Sequence, residues 1–147
     1  MGYTTDFKGG FEINKPLREE LKNYLTKFSE TRRMKRKLDD KFGVEGEFYV
    51  DGGGFAGQDT ESNIIDYNSP PKTQPGLWCQ WIPNEDGTEI VWDGGEKFYN
   101  YVKWLEYIIK NFLEPEGYVL NGEVYFQGED YNDNGFIVVR DNKVKIK

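Results

Sequence analysis

Gln74-Pro75-Gly76-Leu77-Trp78-Cys79-Gln80-Trp81, with Trp92-Asp93-Gly94-Gly95-Glu96-Lys97-Phe98-Tyr99 after it, limits the fold of this chain more than any other segment. Three of the four tryptophans fall there. Leu77 to Ile82 reads as a strand, Asn84-Glu85-Asp86-Gly87 as a turn, and Thr88 to Trp92 as the returning strand. Gly94-Gly95 separates this hairpin from a helix whose buried stripe is Phe98, Tyr101, Leu105, Ile108, Ile109 and Phe112, stopped by Pro115-Glu116-Gly117. A tryptophan-bearing hairpin that runs straight into an amphipathic helix calls for a sheet with helices packed on it.

The flanking segments extend that picture. Tyr3-Thr4-Thr5-Asp6-Phe7 and Phe11-Glu12-Ile13 alternate around Gly9-Gly10, which predicts one strand bent or bulged at the glycines, with Tyr3, Phe7, Phe11 and Ile13 inward. Pro16 opens a helix carrying Leu17, Leu21, Tyr24, Leu25 and Phe28 on one stripe, expected to run to about Leu38. Gly46 to Val50 is a short strand, and residues 51–75 a long Gly- and Pro-containing loop. Tyr118 to Gln127 is a strand with Leu120, Val124 and Phe126 on one face and Glu123, Tyr125 and Gln127 on the other. Phe136–Val139 and Lys143–Ile146 close a hairpin around Arg140-Asp141-Asn142. The expected architecture is α+β: a single domain over residues 1–147, built as a two-layer, ferredoxin-like split βαββαβ sheet. That sheet is mainly antiparallel, with two helices on one face and an extra C-terminal hairpin.

Composition narrows the function. The chain has no histidine, which excludes Ser-His-Asp and Cys-His catalysis and histidine-ligated zinc. Cys79 is the only cysteine, so no internal disulfide forms, in keeping with a reducing cytoplasm, and its apolar strand gives a buried, inert thiol. No apolar run approaches the roughly 20 residues of a membrane span, and Met1 to Asp6 has no signal-peptide pattern. Net charge is −7; residues 84–133 alone hold twelve Asp or Glu against three Lys, a local −9. That field repels nucleic acid and attracts a basic partner.

Four motifs carry competing readings. Gly52-Gly53-Gly54-Phe55-Ala56-Gly57 fits G-x-G-x-x-G, but no helix pattern follows to hold a pyrophosphate, so it reads as a loop. Asp130-Tyr131-Asn132-Asp133-Asn134-Gly135 matches the start of a calcium loop, with Asp130, Asn132, Asn134 and, at position 12, Asp141 as the ligands. The plainer reading is an Asx-rich turn with no cofactor. Arg32, Arg33, Lys35 and Arg36 form a candidate phosphate-contacting basic patch, or else a solvated helix end. Trp78, Gln80, Tyr125 and Gln127 form a candidate binding surface if they share the uncovered sheet face. Carboxylate pairs such as Asp93/Glu96 and Glu129/Asp130 have no spacing that singles out a catalyst, and no catalytic residue is assigned.

Together, Gly2-Tyr3-Thr4-Thr5-Asp6-Phe7, Thr31-Arg32-Arg33-Met34-Lys35, the two tryptophan segments above and Leu120-Asn121-Gly122-Glu123-Val124 resemble a family of short, uncharacterised proteins encoded by bacteria and their phages. The resemblance implies a phage or prophage accessory protein inside the bacterial cell, and carries no activity with it. The expected function is a non-enzymatic acidic protein engaging a bacterial protein partner, as in inhibition of host defence. The alternative is a binder or sponge for a nucleotide-like small molecule. An enzyme built on carboxylates, Arg and Tyr ranks third.

Overall fold

The computed structural model describes residues 2–50 and 62–147. In chain order its elements are β1 (Thr5–Lys8), β2 (Gly10–Ile13), α1 (Glu19–Glu30), β3 (Lys35–Arg36), β4 (Ile64–Asp66), β5 (Trp81–Pro83), β6 (Glu89–Trp92), α2 (Tyr101–Ile108), β7 (Leu120–Gly128), β8 (Asn134–Arg140) and β9 (Lys143–Ile146). The chain is α+β, as expected: two α-helices and a mainly antiparallel sheet. That sheet has seven strands in the order β5-β6-β2-β7-β8-β9, with β1 also beside β7, while β3 and β4 form a separate two-stranded ribbon. The Gly52–Gly57 motif and much of the long loop lie outside the described residues.

The glycine interruption between β1 and β2 bends the strand without slipping it. Thr5 faces Gly128 and Ile13 faces Leu120, and the pairs between keep one register along β7. Because side chains alternate with period two, an unshifted register sends Phe7, Phe11 and Ile13 all inward, while Tyr3, beyond the strand, stays at the surface. Gly122 on β7 is required by this crossing. It has φ +143°, and a Cβ there would come 3.1 Å from the Gly10 carbonyl oxygen and 3.2 Å from Phe11 Cα. The inward residues of β7 and β8 (Leu120, Val124, Phe126, Ile137 and Val139) join the same core as Leu21, Leu25 and Phe28 of α1 and Trp104, Leu105 and Ile108 of α2.

Aromatic rings fill that core edge to face. Phe7 meets Tyr101 at 5.0 Å, Trp81 and Trp92 at 5.3 Å and Phe98 at 5.8 Å. Such pairs contribute about 0.5–1.5 kcal/mol each beyond the area they bury. α2 passes without a break into a π turn over Ile109–Leu113 and a 3-10 turn over Glu114–Glu116, where Gly117 takes a left-handed conformation. Asp141 (φ 49°) and Asn142 (φ 69°) are both left-handed between Arg140 and Lys143, which is the geometry of a two-residue hairpin matched to strand twist.

Three local expectations are corrected. α1 stops at Glu30 rather than near Leu38, with the Thr31 N–H closing on the Phe28 carbonyl and the Thr31 hydroxyl on that of Lys27. The chain then turns inward because Arg33 is only 2% exposed. Its guanidinium lies 4.2 Å from the Phe28 ring centre and donates to the carbonyls of Thr31, Glu47 and Tyr49. Those acceptors displace the strand expected at Gly46–Val50: Val44–Gly46 is a 3-10 turn and the chain beyond it is irregular. The tryptophan hairpin is shorter than expected, since β5 begins only at Trp81.

Arg33→Ala removes three hydrogen bonds and the cation over Phe28, at about 1–3 kcal/mol for each donor lost to a buried group. Urea denaturation is expected to show a loss of about 3 kcal/mol or more. A loss below 1 kcal/mol shows that the buried guanidinium does not hold this region.

Candidate binding clefts

Two recesses open on either side of the segment from Asn68 to Trp78. One, of about 510 Å³, is lined by Trp78, Tyr99, Asn100, Pro70, Glu96 and Lys97 among others. It continues past Trp78, Gln80 and Glu96 into a smaller hollow of about 250 Å³ bounded by Ser29, Asp93 and Gly95. The other, of about 640 Å³, lies between the 72–75 backbone and α2, with Glu47, Gln74 and Tyr107 among its lining residues. Pro75 borders both. Volumes of this order suit a small ligand or a few side chains of a partner.

The wall of the Trp78 recess is braced by Gln80. Its Nε2 donates to the Glu96 carbonyl at 2.9 Å and its Oε1 accepts from the Trp92 indole at 3.1 Å, so both ends of the amide are used. The same recess is lined by Lys97 (φ 58°) and Asn100 (φ 57°), two left-handed residues that are not glycine. Asparagine tolerates that region; lysine pays for its Cβ there, about 1–2 kcal/mol. Strained positions of this kind cluster at sites that clamp ligands. The Asn100 side chain donates to the Pro75 carbonyl at 2.7 Å and fixes the segment between the recesses.

Asp93 dominates the electrostatics. Partial burial pushes its carboxyl above the ordinary value of 3.8, and the N–H of Gly95 at 2.8 Å and the hydroxyl of Ser29 at 3.4 Å only partly offset this. No Lys or Arg pairs with Asp93 or Glu96 among the described residues. The hollow beside Trp78 is therefore a half-desolvated acidic position that no Lys or Arg among the described residues pairs with.

The larger recess has a polar floor. The Tyr107 hydroxyl donates to Glu47 Oε1 at 2.8 Å and accepts from Gln74 Nε2 at 2.9 Å; Nε2 also donates to the Glu47 carbonyl at 2.7 Å. Val44 N–H reaches Glu47 Oε2 at 3.1 Å. Burial pushes the Tyr107 hydroxyl well above the usual tyrosine range, so it stays a donor at any physiological pH. Gln74 Oε1 is buried with no hydrogen-bond partner. Nothing local in the sequence marks this trio, because its members are far apart along the chain. The one visible signal is a hydroxyl-bearing Tyr107 between the apolar residues Leu105 and Ile108 of the helix.

The residues singled out from the sequence do not assemble as expected. Trp78 and Gln80 precede β5, which lies three strand positions from β7, about 14 Å across the sheet. Gln80 is buried, whereas Tyr125 and Gln127 sit together on the outer face of β7, the Tyr125 hydroxyl 3.1 Å from Gln127 Oε1. The four thus fall into two separate places. The basic patch dissolves similarly. Arg33 and Arg36 are buried, Arg36 over the Tyr49 ring at 4.6 Å, while Arg32 covers Tyr67 at 4.1 Å and Lys35 belongs to the β3–β4 ribbon.

The calcium loop is dispersed by β8, about 20 Å long, which puts Asp130 and Asn132 at one end and Asp141 in the hairpin turn at the other. Asp130 Oδ1 accepts the Asn132 N–H as an Asx turn, Asn134 Nδ2 donates to the Tyr131 carbonyl, and the Tyr3 hydroxyl donates to Asp133 at 2.6 Å. Among the described residues no group of three or more Asp, Glu or Cys converges as metal ligands. None of the helices is long and apolar enough to cross a membrane, again among the described residues. No family model, curated protein or solved structure matches the chain.

Two measurements follow from these positions. Lys97→Gly removes left-handed strain at the expense of unfolded-state entropy and is expected to stabilise the protein by about 0.5–1 kcal/mol in denaturant titration. Destabilisation shows that the Lys97 side chain contributes more than its backbone costs. Cys79 is fully buried, its thiol pushed up to about 12 by desolvation. A disulfide reagent at pH 8 is expected to leave the native protein untouched and to label one thiol after denaturation. Rapid native labelling contradicts that burial.

Proposed function

We propose that this chain is a non-enzymatic acidic binding protein that engages a bacterial protein partner by receiving one of its arginine or lysine side chains beside Trp78. The observation that carries this reading is the uncompensated acidic hollow: Asp93 and Glu96 held next to a half-buried indole, with no cation of the protein's own among the described residues. A guanidinium there gains from both carboxylates and from the face of Trp78, about 0.5–2 kcal/mol for the ring alone. The −9 balance of residues 84–133 would draw a basic surface towards the recess and keep nucleic acid away. The likeness of its segments to phage and prophage proteins supports an accessory role inside the bacterial cell, directed at a host defence protein. The split βαββαβ arrangement stays part of this reading for the inner strands; the order β5-β6-β2-β7 with α1 and α2 in the crossovers supports it.

A nucleotide-like small ligand is the second reading, favoured by the size of the recess and by Trp78 and Tyr99 both lining it. The two separate in one experiment. Isotope-labelled protein is titrated with a capped arginine-containing peptide and, separately, with adenosine monophosphate, following the Trp78 indole resonance. The proposal expects the peptide to shift it, with affinity falling about tenfold in Glu96→Gln and at high salt. Because the cation binds ionised Asp93, affinity should weaken as the pH drops through a range above 3.8. A shift with the nucleotide alone selects the second reading. A peptide response in the backbone amides that survives Trp78→Ala but disappears in Tyr125→Ala moves the binding surface to the outer sheet face.

A further inference from the structure

From the second recess we infer a separate ligand site: the cleft between the 72–75 segment and α2 takes a small hydroxylated phosphate ester, phosphate at the lysine rim and hydroxyl end on the Glu47–Gln74–Tyr107 floor. This does not depend on the Trp78 recess.

Lys72 comes from one wall; Lys103 and Lys110 come from the other. On α2 Lys103 and Tyr107 are four residues apart and so share a face, and Lys110, from the π turn that follows, lines the same cleft. The π turn begins at Ile109, and both Lys110 and Asn111 line the cleft. Single π turns occur often at functional sites. None of the three ammonium groups has an ion-pair partner among the described residues, although Glu106 lines the same cleft and leaves three cations against it at the rim. Residues 84–133 contain only three lysines against twelve acidic residues, and two of those three are on this rim. An otherwise repellent half of the molecule thus gathers its cations around one cavity, the arrangement a compact dianion requires.

The floor sets the rest of the ligand. Tyr107 gives its hydrogen to Glu47, and both hydrogens of Gln74 Nε2 are spent on Tyr107 and the Glu47 carbonyl. What remains is acceptor: Gln74 Oε1, which has no partner, in a side chain 7% exposed, and the Glu47 carboxylate. An end rich in O–H donors complements such a floor, and a bare apolar end leaves it unsatisfied. The cleft, about 640 Å³, admits a pentose or hexose phosphate.

The test uses the full chain, titrated with ribose 5-phosphate, inorganic phosphate and ribose, and read by amide chemical shifts with calorimetry alongside. The expected result is perturbation at Lys103, Tyr107, Lys110 and Asn111, in the affinity order ribose 5-phosphate, inorganic phosphate, ribose. A Lys103→Ala/Lys110→Ala double variant, whose side chains are exposed, should retain its melting temperature and bind ribose 5-phosphate about tenfold more weakly or worse. Gln74→Leu should erase the preference for the ester over inorganic phosphate, and Trp78→Ala should change nothing here. No perturbation of these amides by either phosphate at about 10 mM, a contact strength at which even weak charge-assisted pairs register, overturns the site. So does unchanged affinity in the double-lysine variant. Inorganic phosphate binding as tightly as the ester overturns the assignment of the floor.

Discussion

A single buried guanidinium organises the part of this molecule on which its clefts depend. Arg33 enters the interior over Phe28 and spends its donors on the neighbouring Thr31 carbonyl and on the carbonyls of Glu47 and Tyr49 from one distant segment. Burial pulls its pKa down to about 10, so it stays charged at neutral pH, and that charge must be met by oxygens. The carbonyls of Glu47 and Tyr49 supply them, fixing an otherwise irregular stretch in place. With that backbone fixed, the Glu47 side chain reaches Tyr107 on α2 and the Glu47 carbonyl receives Gln74. Removing the arginine therefore disturbs the floor of a cleft formed by residues it does not itself line. Tyr24 adds a second tie: its hydroxyl donates to the Phe48 carbonyl, and burial lifts its pKa to about 12.

The features that were legible in the sequence are those set by nearest neighbours and by period. Phe7, Phe11 and Ile13 alternate and are buried; Leu120, Val124 and Phe126 alternate and are buried; Leu21, Leu25 and Phe28 repeat at helical spacing and are buried. The closing turn at Asp141-Asn142 follows from residues that tolerate left-handed backbone. What failed was the stretch from Thr31 to Val50, and for one reason. Arg-Arg-Met-Lys-Arg-Lys has good helix propensity and a solvated look, but its conformation is decided by acceptors more than ten residues away. Met34 and Arg36 are each 1% exposed, which no hydropathy pattern predicts for a run of cations. Of the four cations in the apparent basic patch, Arg33 and Arg36 are core, and Arg32 and Lys35 are half-buried.

The tryptophans show the same division. Trp81 and Trp104 are interior residues, and Trp92 packs against the core while its indole N–H holds Gln80. Trp78 borders a recess because β5 begins at Trp81, four residues later than the pattern suggests, which leaves Trp78 outside the strand. Trp78 lines a recess, and the neighbours it has there are not those the pattern paired with it. In place of Tyr125 and Gln127 they are Glu96, Lys97, Tyr99 and Asn100 from the approach to α2.

The two recesses differ in charge yet share a wall, and the wall is held from both sides. Gln74 is pinned towards α2 by Glu47 and Tyr107, and Pro75 is pinned towards the start of α2 by Asn100. Three prolines, Pro70, Pro71 and Pro75, limit how the segment can rearrange between those anchors. Behind it, Gly76 leaves room where a Cβ would stand 3.5 Å from the Trp104 indole nitrogen, a buried donor with no hydrogen-bond partner. Gln74, Pro75 and Gly76 are consecutive, so the wall facing the lysine-rimmed cleft and the wall facing the Trp78 recess are one stretch of backbone, held by anchors on both sides.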